Sequence, residues 1–327
     1  MRLRGDPEQR RLYRDRGLRR RWPGLLALLL WLPAAMAAST DTPRAHALIQ
    51  QYGSDVGGRL IPAFRAIYKE YLREAGHAKA DKVADIAYGP HELQRLDVFA
   101  PMAADAPAPV LLFVHGGGFV SGDKGDGEIY DNVLDYFAAR GIMGVNINYR
   151  LAPAFQWPTG ATDVREALRW VRVHAAEFGG NPSRIFLMGH SAGASHVAAY
   201  AFIESLQLDG GDDGVRGAIL VSGVYTGTSA DAQQVYYGDA VGPDSERLPI
   251  NNIEGRKLPL FIIDAEYDFP MMQREAAALL GAVCARDGRC PRHQRVPGHN
   301  HYTEMHHFNT ADDSIASAIA DFMRRTP

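Results

Sequence analysis

Short apolar runs alternate with amphipathic stretches along the chain beyond Pro109. Continuous apolar runs of this length are typical of strands buried on both faces of a parallel sheet, with helices between them. The pattern predicts an α/β fold with a mostly parallel central sheet flanked by helices. The runs cover residues 110–114, 143–148, 185–188, 218–221, 260–263 and 293–296, and helical spacing covers residues 128–140, 162–177, 192–205, 271–286 and 312–324.

The chain ahead of this alternation has a different pattern. Residues 39–76 carry apolar side chains at helical spacing and predict one or two helices outside the sheet. Residues 83–99 read as two extended segments around the turn pair Gly89-Pro90. We therefore expect the sheet to begin with antiparallel strands.

One interval interrupts the alternation. Residues 222–257 are rich in Gly, Pro and Asp, and they have no strong period. They follow a predicted parallel strand, and loops at the carboxyl ends of such strands usually build the binding site. This interval is predicted to be a small cap-like insertion, in which Tyr225, Tyr236 and Tyr237 either line an acyl or aryl pocket or simply pack.

The first 37 residues have the three parts of a secretory signal. Nine arginines fall within residues 1–21, an apolar stretch follows at residues 25–32, and residues 35–37 read Ala-Met-Ala. The alternatives are an uncleaved membrane anchor or a buried helix, and the arginines at 19–21 leave twin-arginine export open. We expect an exported protein, periplasmic or secreted, with residues 38–327 as a single domain.

Charge excludes one class of partner. Removing residues 1–37 takes away nine of 35 basic and three of 38 acidic side chains, which leaves 26 against 35, a formal charge of −9. An acidic domain lacks the basic footprint that nucleic-acid binding requires. No stable membrane span is expected after cleavage, and the sequence does not indicate an oligomeric state.

The chain has two cysteines, Cys284 and Cys290. In an oxidising compartment a local disulfide is the preferred state, and two unpaired thiols are the alternative. No further cysteine is available for a zinc site of the usual spacing.

The sharpest signal for chemistry is Gly-His-Ser-Ala-Gly at residues 189–193. It lies between a predicted strand and a predicted helix, which is the context that a G-x-S-x-G nucleophile turn requires. Ser191 is therefore the predicted nucleophile.

A second signal, His-Gly-Gly-Gly-Phe, occupies residues 115–119 directly after a predicted strand. Exposed backbone N–H groups there can stabilise the negative charge that develops in acyl transfer. We assign Gly117, Gly118 and Ala192, the residue after the nucleophile, as oxyanion donors. A phosphate-binding loop is excluded because neither of its glycine patterns can be read through residues 115–127.

A serine nucleophile needs an acid and a histidine base, in that chain order. Asp268, just after the predicted strand 260–263, is the preferred acid, and Asp264 and Glu266 remain alternatives. His301, after the last predicted strand, is the preferred base.

Several other histidines lie near the predicted base. His299 is the alternative base, and His306 and His307 are expected to cover the surface. His299, His301, His306 and His307 could ligate a metal on count alone. No metal is expected, because the predicted role as base already accounts for His301.

Four further residues have predicted roles. Asp163 is interpreted as a helix cap or a partner of the helix dipole, and His115 as a brace for the glycine loop. Phe119 and His190, which adjoin the two motifs, join Tyr236 and Tyr237 as substrate-binding candidates.

Residues 83–325 resemble the α/β-hydrolase superfamily, nearest to hormone-sensitive-lipase-like esterases and to feruloyl-esterase-like or kynurenine-formamidase-like esterases. The resemblance rests on residues 115–124, on Asn-Tyr-Arg-Leu-Ala-Pro at 148–153, on residues 189–193 and on Tyr-Tyr-Gly at 236–238. It implies an α/β-hydrolase fold, a Ser-His-Asp triad, an acyl-enzyme mechanism and no cofactor.

Two departures bear on the branch of the superfamily. Glu266-Tyr267 precedes the acid where the lipase-like branch has Asp-Pro-Leu, and Leu248-Pro249 stands where Ser-Pro is expected. The feruloyl-esterase-like branch is therefore favoured. The expected activity is hydrolysis of a small-molecule carboxylic ester. An amidase, formamidase or peptidase on the same fold, or a non-catalytic binding module, is the alternative.

Overall fold

The structure is a computed structural model. It describes residues 42–55, 60–102, 107–126, 129–208, 212–227, 231–238 and 242–327. The predicted signal sequence, residues 1–37, lies outside the described residues, so the predicted division of the chain at residue 37 stays a prediction.

One twisted sheet organises the described chain. Its strand order is β1-β2-β4-β3-β5-β6-β7-β8. The first two strands are antiparallel to their neighbours, and every later pairing is parallel. This confirms the predicted antiparallel start and parallel centre. The strands are β1 Lys82–Ala87, β2 Arg95–Phe99, β3 Ala108–Val114, β4 Met143–Ile147, β5 Gly180–His190, β6 Val215–Val221, β7 Leu260–Tyr267 and β8 Arg292–Asn300.

Helices connect the parallel strands, and two more precede the sheet. In chain order they are α1 Thr42–Tyr52, α2 Ile61–Ala75, α3 Ile129–Ala138, α4 Thr159–His174, α5 Ala192–Phe202, α6 Asp231–Tyr237, α7 Pro270–Asp287, α8 Thr303–His306 and α9 Ala316–Arg325. Short 3₁₀ turns cover Ala175–Phe178, Glu204–Leu206 and Pro249–Asn252. None of the helices in the described ranges combines the length and apolar character needed to cross a bilayer.

Two apolar layers sandwich the sheet. Along β3, Val110, Leu112 and Val114 pack into the layer that contains α4 and α5, whereas Leu111 and Phe113 pack into the layer that contains α3 and α9. All five side chains are fully buried. Burial of both faces explains why the strands read as continuous apolar runs and not as alternating ones. It also fixes β3 and β5 rigidly beneath the loops that leave their carboxyl ends.

Element boundaries depart from the prediction where a strand continues into polar sequence. β5 begins at Gly180, and β8 runs to Asn300, so that Pro297 and His299 lie within a strand. Backbone pairing extends both strands: Gly180 pairs with Ala108 on β3, and Asn300 pairs with Tyr267 on β7 beyond an irregularity in register. The interval 222–257 includes α6, whose Tyr236 and Tyr237 belong to a buried cluster with Phe119.

Candidate active site

Ser191 lies at the sharp turn between β5 and α5. Its backbone has φ 54° and ψ −123°, a conformation that costs a non-glycine residue about 1–3 kcal/mol. The flanking glycines make the turn possible, because a Cβ at Gly189 would overlap the backbone of Gly193, and one at Gly193 would overlap the carbonyl of Val114. The turn therefore presents the serine hydroxyl at the carboxyl edge of the sheet.

His301 and Asp268 approach this serine from two other strands. His301 follows β8 directly, and its Nε2 lies 3.0 Å from Ser191 Oγ. Its Nδ1 lies 2.9 Å from Oδ1 of Asp268, which follows β7. All three side chains are buried, with exposures of 8%, 5% and 1% for Ser191, His301 and Asp268. The three groups form a continuous hydrogen-bonded chain of the kind that activates a serine hydroxyl.

Two donors hold the Asp268 carboxylate. The Phe269 N–H donates to Oδ1 at 2.8 Å, and the Ser222 hydroxyl donates to Oδ2 at 2.5 Å. Ser222 comes directly after β6, and its backbone N–H bonds Ile263 O on β7. The sequence analysis did not single out Ser222. Its position, a polar residue just past a buried strand, is the signal that could have found it.

The alternative acids have other partners. Asp264 is buried within β7 and accepts from His293 at 2.6 Å and from Arg295 at 2.7 Å. Glu266 accepts the N–H of Gly298 at 2.8 Å. Among the three acids, Asp268 alone contacts His301.

The glycine loop lies beside the serine. Gly117, Gly118 and Phe119 have φ values of 131°, 60° and 69°, which turn the chain away from extended geometry. Within the described ranges, the N–H groups of Gly117, Gly118 and Ala192 donate no hydrogen bond, whereas the neighbouring Gly116 N–H donates to Tyr130. These N–H groups, which the described residues leave without an acceptor, can donate hydrogen bonds to a substrate oxygen.

His115 lies beneath the same loop. Its Nδ1–H donates to Gly116 O at 2.6 Å, and its ring stacks on Tyr149 at 4.4 Å. Burial lowers the pKa of His115 to about 4, so the ring is neutral at physiological pH. A neutral ring with these contacts fits the bracing role expected of it.

Similar folds are found among solved structures. Esterase B from Lactobacillus rhamnosis matches with a TM-score of 0.66 at 18% identity, over 88% of this chain and 98% of that one. A hyperthermophilic esterase from Pyrobaculum calidifontis matches with a TM-score of 0.65 at 20% identity, over 86% and 96%. The chain has the α/β-hydrolase fold. Residues 96–212 also match the family model BD-FAE.

Two curated proteins with similar sequences are an esterase and a hydrolase. Esterase LipQ of Mycobacterium tuberculosis is 27% identical over 75% of this chain and 62% of its own length. Phenmedipham hydrolase of Pseudarthrobacter oxydans is 41% identical over 32% of this chain and 22% of its own. The chain thus spans less than two thirds of the length of these relatives.

Two further ionisable groups lie behind Ser191, His301 and Asp268. His190 Nε2–H donates to His301 O at 2.9 Å, and its Nδ1 accepts from Tyr130 at 3.2 Å. Glu304 Oε1 lies 3.3 Å from His190 Nε2 and 4.0 Å from His301 Nδ1. Burial and the nearby Asp268 raise the pKa of Glu304 well above its usual value. The contacts of His190 hold the His301 backbone, and sequence reasoning missed Glu304 altogether.

The remaining substrate-binding candidates form one aromatic cluster. Phe119 stacks on Tyr236 with ring centroids 4.7 Å apart and planes 5° apart, and Tyr237 packs edge-on against both. Exposures of 2–3% show that the three rings largely cover one another. The cluster joins the cap-like segment to the glycine loop.

Two of the sequence predictions are wrong. Asp163 caps no helix; it is fully buried and accepts from Arg150 at 2.7 Å and from Gln94 at 2.8 Å, because it anchors the loop after β4. His306 and His307 do not cover the surface; they are 5% and 0% exposed, because Tyr68 of α2 packs near the His306 ring, and His299 and Phe308 pack against His307.

The two cysteines form a disulfide. It joins Cys284 in α7 to Cys290 just ahead of β8, with Cα atoms 4.2 Å apart. It therefore ties the end of α7 to the strand that leads to His301.

Two groups in the described parts of the chain have donor atoms close enough together to hold a metal ion. One is His190, His301 and Glu304, which overlaps the base. The other is His46, His299 and Asp312. The four histidines considered from sequence are thus divided, with His299 and His301 in different groups.

Proposed function

We propose that this protein is a carboxylic-ester hydrolase that forms an acyl-enzyme on Ser191. The observation that carries the proposal is the chain of contacts from Ser191 Oγ to His301 Nε2 at 3.0 Å and from His301 Nδ1 to Asp268 Oδ1 at 2.9 Å. Geometry of this kind, at the strand-to-helix turn of an α/β-hydrolase fold, is what acyl transfer requires.

In the first step, His301 Nε2 takes the Ser191 proton as Oγ attacks the ester carbonyl. The imidazolium formed is stabilised by the Asp268 carboxylate, whose position Ser222 and Phe269 fix. The same proton then passes to the leaving alcohol. Water repeats the sequence on the acyl-enzyme and releases the acid.

The negative oxygen of each tetrahedral intermediate needs donors. We assign this role to the N–H groups of Gly117, Gly118 and Ala192, which no described residue engages. Ala192 also begins α5, so the helix dipole adds positive potential at this point. Each such donor contributes about 3–4 kcal/mol to transition-state stabilisation.

The substrate class rests on the relatives. LipQ is named an esterase, and the solved structures with a similar fold include further esterases. The Phe119, Tyr236 and Tyr237 cluster supplies an apolar wall near the serine, which suits a small-molecule ester with an apolar acyl or aryl group. The same machinery serves amides, so amidase, formamidase or peptidase activity is the second candidate.

Labelling with a fluorophosphonate probe tests the nucleophile. The purified protein should be modified once, at Ser191, and Ser191→Ala should abolish both labelling and ester turnover while it leaves the fold intact. Ser183→Ala, a change at an exposed serine on β5, is the matched control and should behave as wild type. Wild-type turnover by the Ser191→Ala variant would overturn the assignment.

A substrate panel separates the two candidate activities. Chromogenic esters of increasing acyl length, run beside aryl formamides and aminoacyl amides, should show ester turnover well above amide turnover. Preference for an amide would favour the second candidate. A folded sample that neither labels nor turns over any substrate would leave only the binding-module alternative.

We also propose export to an oxidising compartment. The disulfide between Cys284 and Cys290 supports this, since cytosolic proteins rarely keep such bonds. Fractionation of producing cells, with mass spectrometry of the mature amino terminus, should find the protein outside the cytosol and cut near residue 37. Recovery of the intact chain from the cytosol would contradict the proposal.

A further inference from the structure

A second polar group lies outside the chain of residues used for catalysis. It brings together His46 on α1, His299 near the end of β8 and Asp312 in the connection between α8 and α9. One donor atom from each lies within 4.8 Å of the other two. His299 Nε2 and Asp312 Oδ2 are 3.0 Å apart, and the two imidazole rings stand nearly perpendicular with centroids 5.4 Å apart. Three elements distant in sequence thus converge on one point.

The His46 ring has an unsatisfied nitrogen. Its Nε2 is buried and has no hydrogen-bond partner in the described part of the chain. The ring fits there because residue 298 is glycine: a Cβ at Gly298 would lie 2.9 Å from His46 Nε2. A neutral imidazole carries a free lone pair on one of its two nitrogens, which can bind a cation. A buried polar atom without a partner calls for a physical explanation.

Neighbouring groups orient the other two side chains. His299 Nδ1 lies 3.2 Å from Thr303 Oγ1, a hydroxyl that also accepts the Asn300 N–H at 3.0 Å. Asp312 Oδ1 accepts the Ser314 N–H at 3.0 Å, which leaves Oδ2 facing His299. Ligands of metal sites are held in this way, with the outer atom of each imidazole or carboxylate fixed by a hydrogen bond.

We propose that His46, His299 and Asp312 bind one divalent transition-metal ion of the zinc type, with water completing the coordination. Two imidazoles and one carboxylate suit such an ion, whereas magnesium and calcium prefer oxygen ligands alone. Donors around a tetrahedral zinc ion lie about 3.3 Å apart, as follows from metal–ligand distances of about 2.0–2.1 Å. The His299 and Asp312 atoms already meet this spacing, and His46 needs a movement of about 1.5 Å at most.

The surroundings suit an ion that keeps one water ligand. The side chain of His299 is 1% exposed and that of Asp312 is 19% exposed, so the group is closed on one side and open to solvent on the other. Asp312 supplies one carboxylate, and a second, Glu266, accepts the N–H of Gly298, the residue against which His46 packs. Both charges favour a cation there.

The proposed site lies between α1 and the end of β8. His299 is two residues ahead of His301, and α1 precedes the sheet altogether, so a bound ion would fasten the helix to the strand end that carries the base. This inference does not rest on the proposed ester hydrolysis, because metal binding can be measured without any substrate. The other group of potential ligands, His190, His301 and Glu304, belongs to the proposed active site. A substitution there tests whether zinc binds at that group instead.

Zinc titration by isothermal calorimetry tests the proposal on protein stripped with EDTA and exchanged into chelator-free buffer. We expect one equivalent of Zn²⁺ per chain and a rise in the melting temperature. His46→Ala and Asp312→Asn should each weaken binding by at least about tenfold. His174→Ala is the control, because His174 and Glu177 form an exposed histidine–carboxylate pair at 3.2 Å. Circular dichroism checks the fold of each variant.

The location of the ion is decided by one more variant. Binding that survives in His301→Gln and His174→Ala but is weakened in His46→Ala supports the proposal. His46→Ala is decisive because His46 lies on α1, outside the sheet, and circular dichroism checks that the variant keeps its fold. Absence of stoichiometric uptake, uptake unaffected by His46→Ala, or uptake lost in His301→Gln would each overturn it.

Discussion

The turn that carries Ser191 and the two loops that carry Asp268 and His301 meet in one hydrogen-bonded chain, but different forces hold them. The turn is fixed by its own neighbours, since Gly189 and Gly193 pack against each other and against β3. The loops are fixed from a distance: Asp268 by Ser222 after β6, and His301 by His190 at the end of β5. The turn at Ser191 is thus a local structure, whereas Asp268 and His301 are positioned by tertiary contacts.

The two regions should therefore differ in their sensitivity to distant substitutions. A substitution can displace Ser191 only if it disturbs the turn itself, whereas substitutions in several separate elements can displace His301. Tyr267 and Tyr302, which adjoin the acid and the base, pack against Phe64 and Ile49 of the two amino-terminal helices. The following predictions test this contrast, beginning with the largest effect.

Asp268→Asn should lower kcat for a chromogenic ester by about 10⁴-fold, because an amide neither stabilises the imidazolium nor selects the required tautomer. Steady-state kinetics measure the change. Glu266→Gln is the matched control and should stay close to wild type, since Glu266 contacts Gly298 and not His301. Equal losses in the two variants would refute the choice of acid.

Gly117→Ala should lower kcat by about 10²- to 10³-fold, the effect of losing one oxyanion donor. Its φ of 131° disfavours any side chain, and an added Cβ would overlap the Ser121 carbonyl oxygen, so the loop must move. Gly125→Ala is the control, because the added Cβ would meet only Asp123 Oδ1, at 3.4 Å. Burst kinetics would show whether acylation is the slowed step. A Gly117→Ala enzyme with wild-type kcat would remove Gly117 from the oxyanion site.

The same contrast explains what could be predicted from sequence. Ser191 and the glycine loop were found because the residues that hold them are adjacent in the chain, so a motif of five residues records the whole local structure. The strands were found because burial on both faces leaves an uninterrupted apolar run. The antiparallel start followed from a turn pair at Gly89-Pro90.

The tertiary supports could not be predicted in this way. Ser191 and His301 are 110 positions apart, and no short motif records that Ser222 reaches Asp268 or that Glu304 lies behind His301. Burial of His306 was missed because its cover, α2, comes from far upstream. Helical periodicity predicted the amino-terminal helices but did not indicate which surface they pack against.

Ser222→Ala should lower kcat by roughly tenfold with little change in KM. The hydroxyl donates one of the two hydrogen bonds that Asp268 accepts outside the triad, and a bond to a charged group contributes about 1.5–3 kcal/mol, part of which water can replace. Ser317→Ala, which changes an exposed serine on α9, is the control. An unchanged kcat in Ser222→Ala would show that the Phe269 N–H alone suffices to hold the acid.

Phe64→Ala should have the smallest effect on kcat of these substitutions. It tests whether the amino-terminal helices support the loops that carry Asp268 and His301. Phe64 is 1% exposed and packs beneath Tyr267 and Tyr302, so truncation should lower the free energy of unfolding by about 3–5 kcal/mol and lower kcat by less than Ser222→Ala does. Phe322→Ala on α9 is the matched control, because this ring packs on Phe186 and Phe261 and belongs to a different apolar cluster from Phe64, Tyr267 and Tyr302. Chemical denaturation and steady-state kinetics measure both quantities. If the two variants lose stability alike but only Phe64→Ala loses kcat, the amino-terminal helices support the acid and base; equal kcat in both would show that the loops hold their geometry without them.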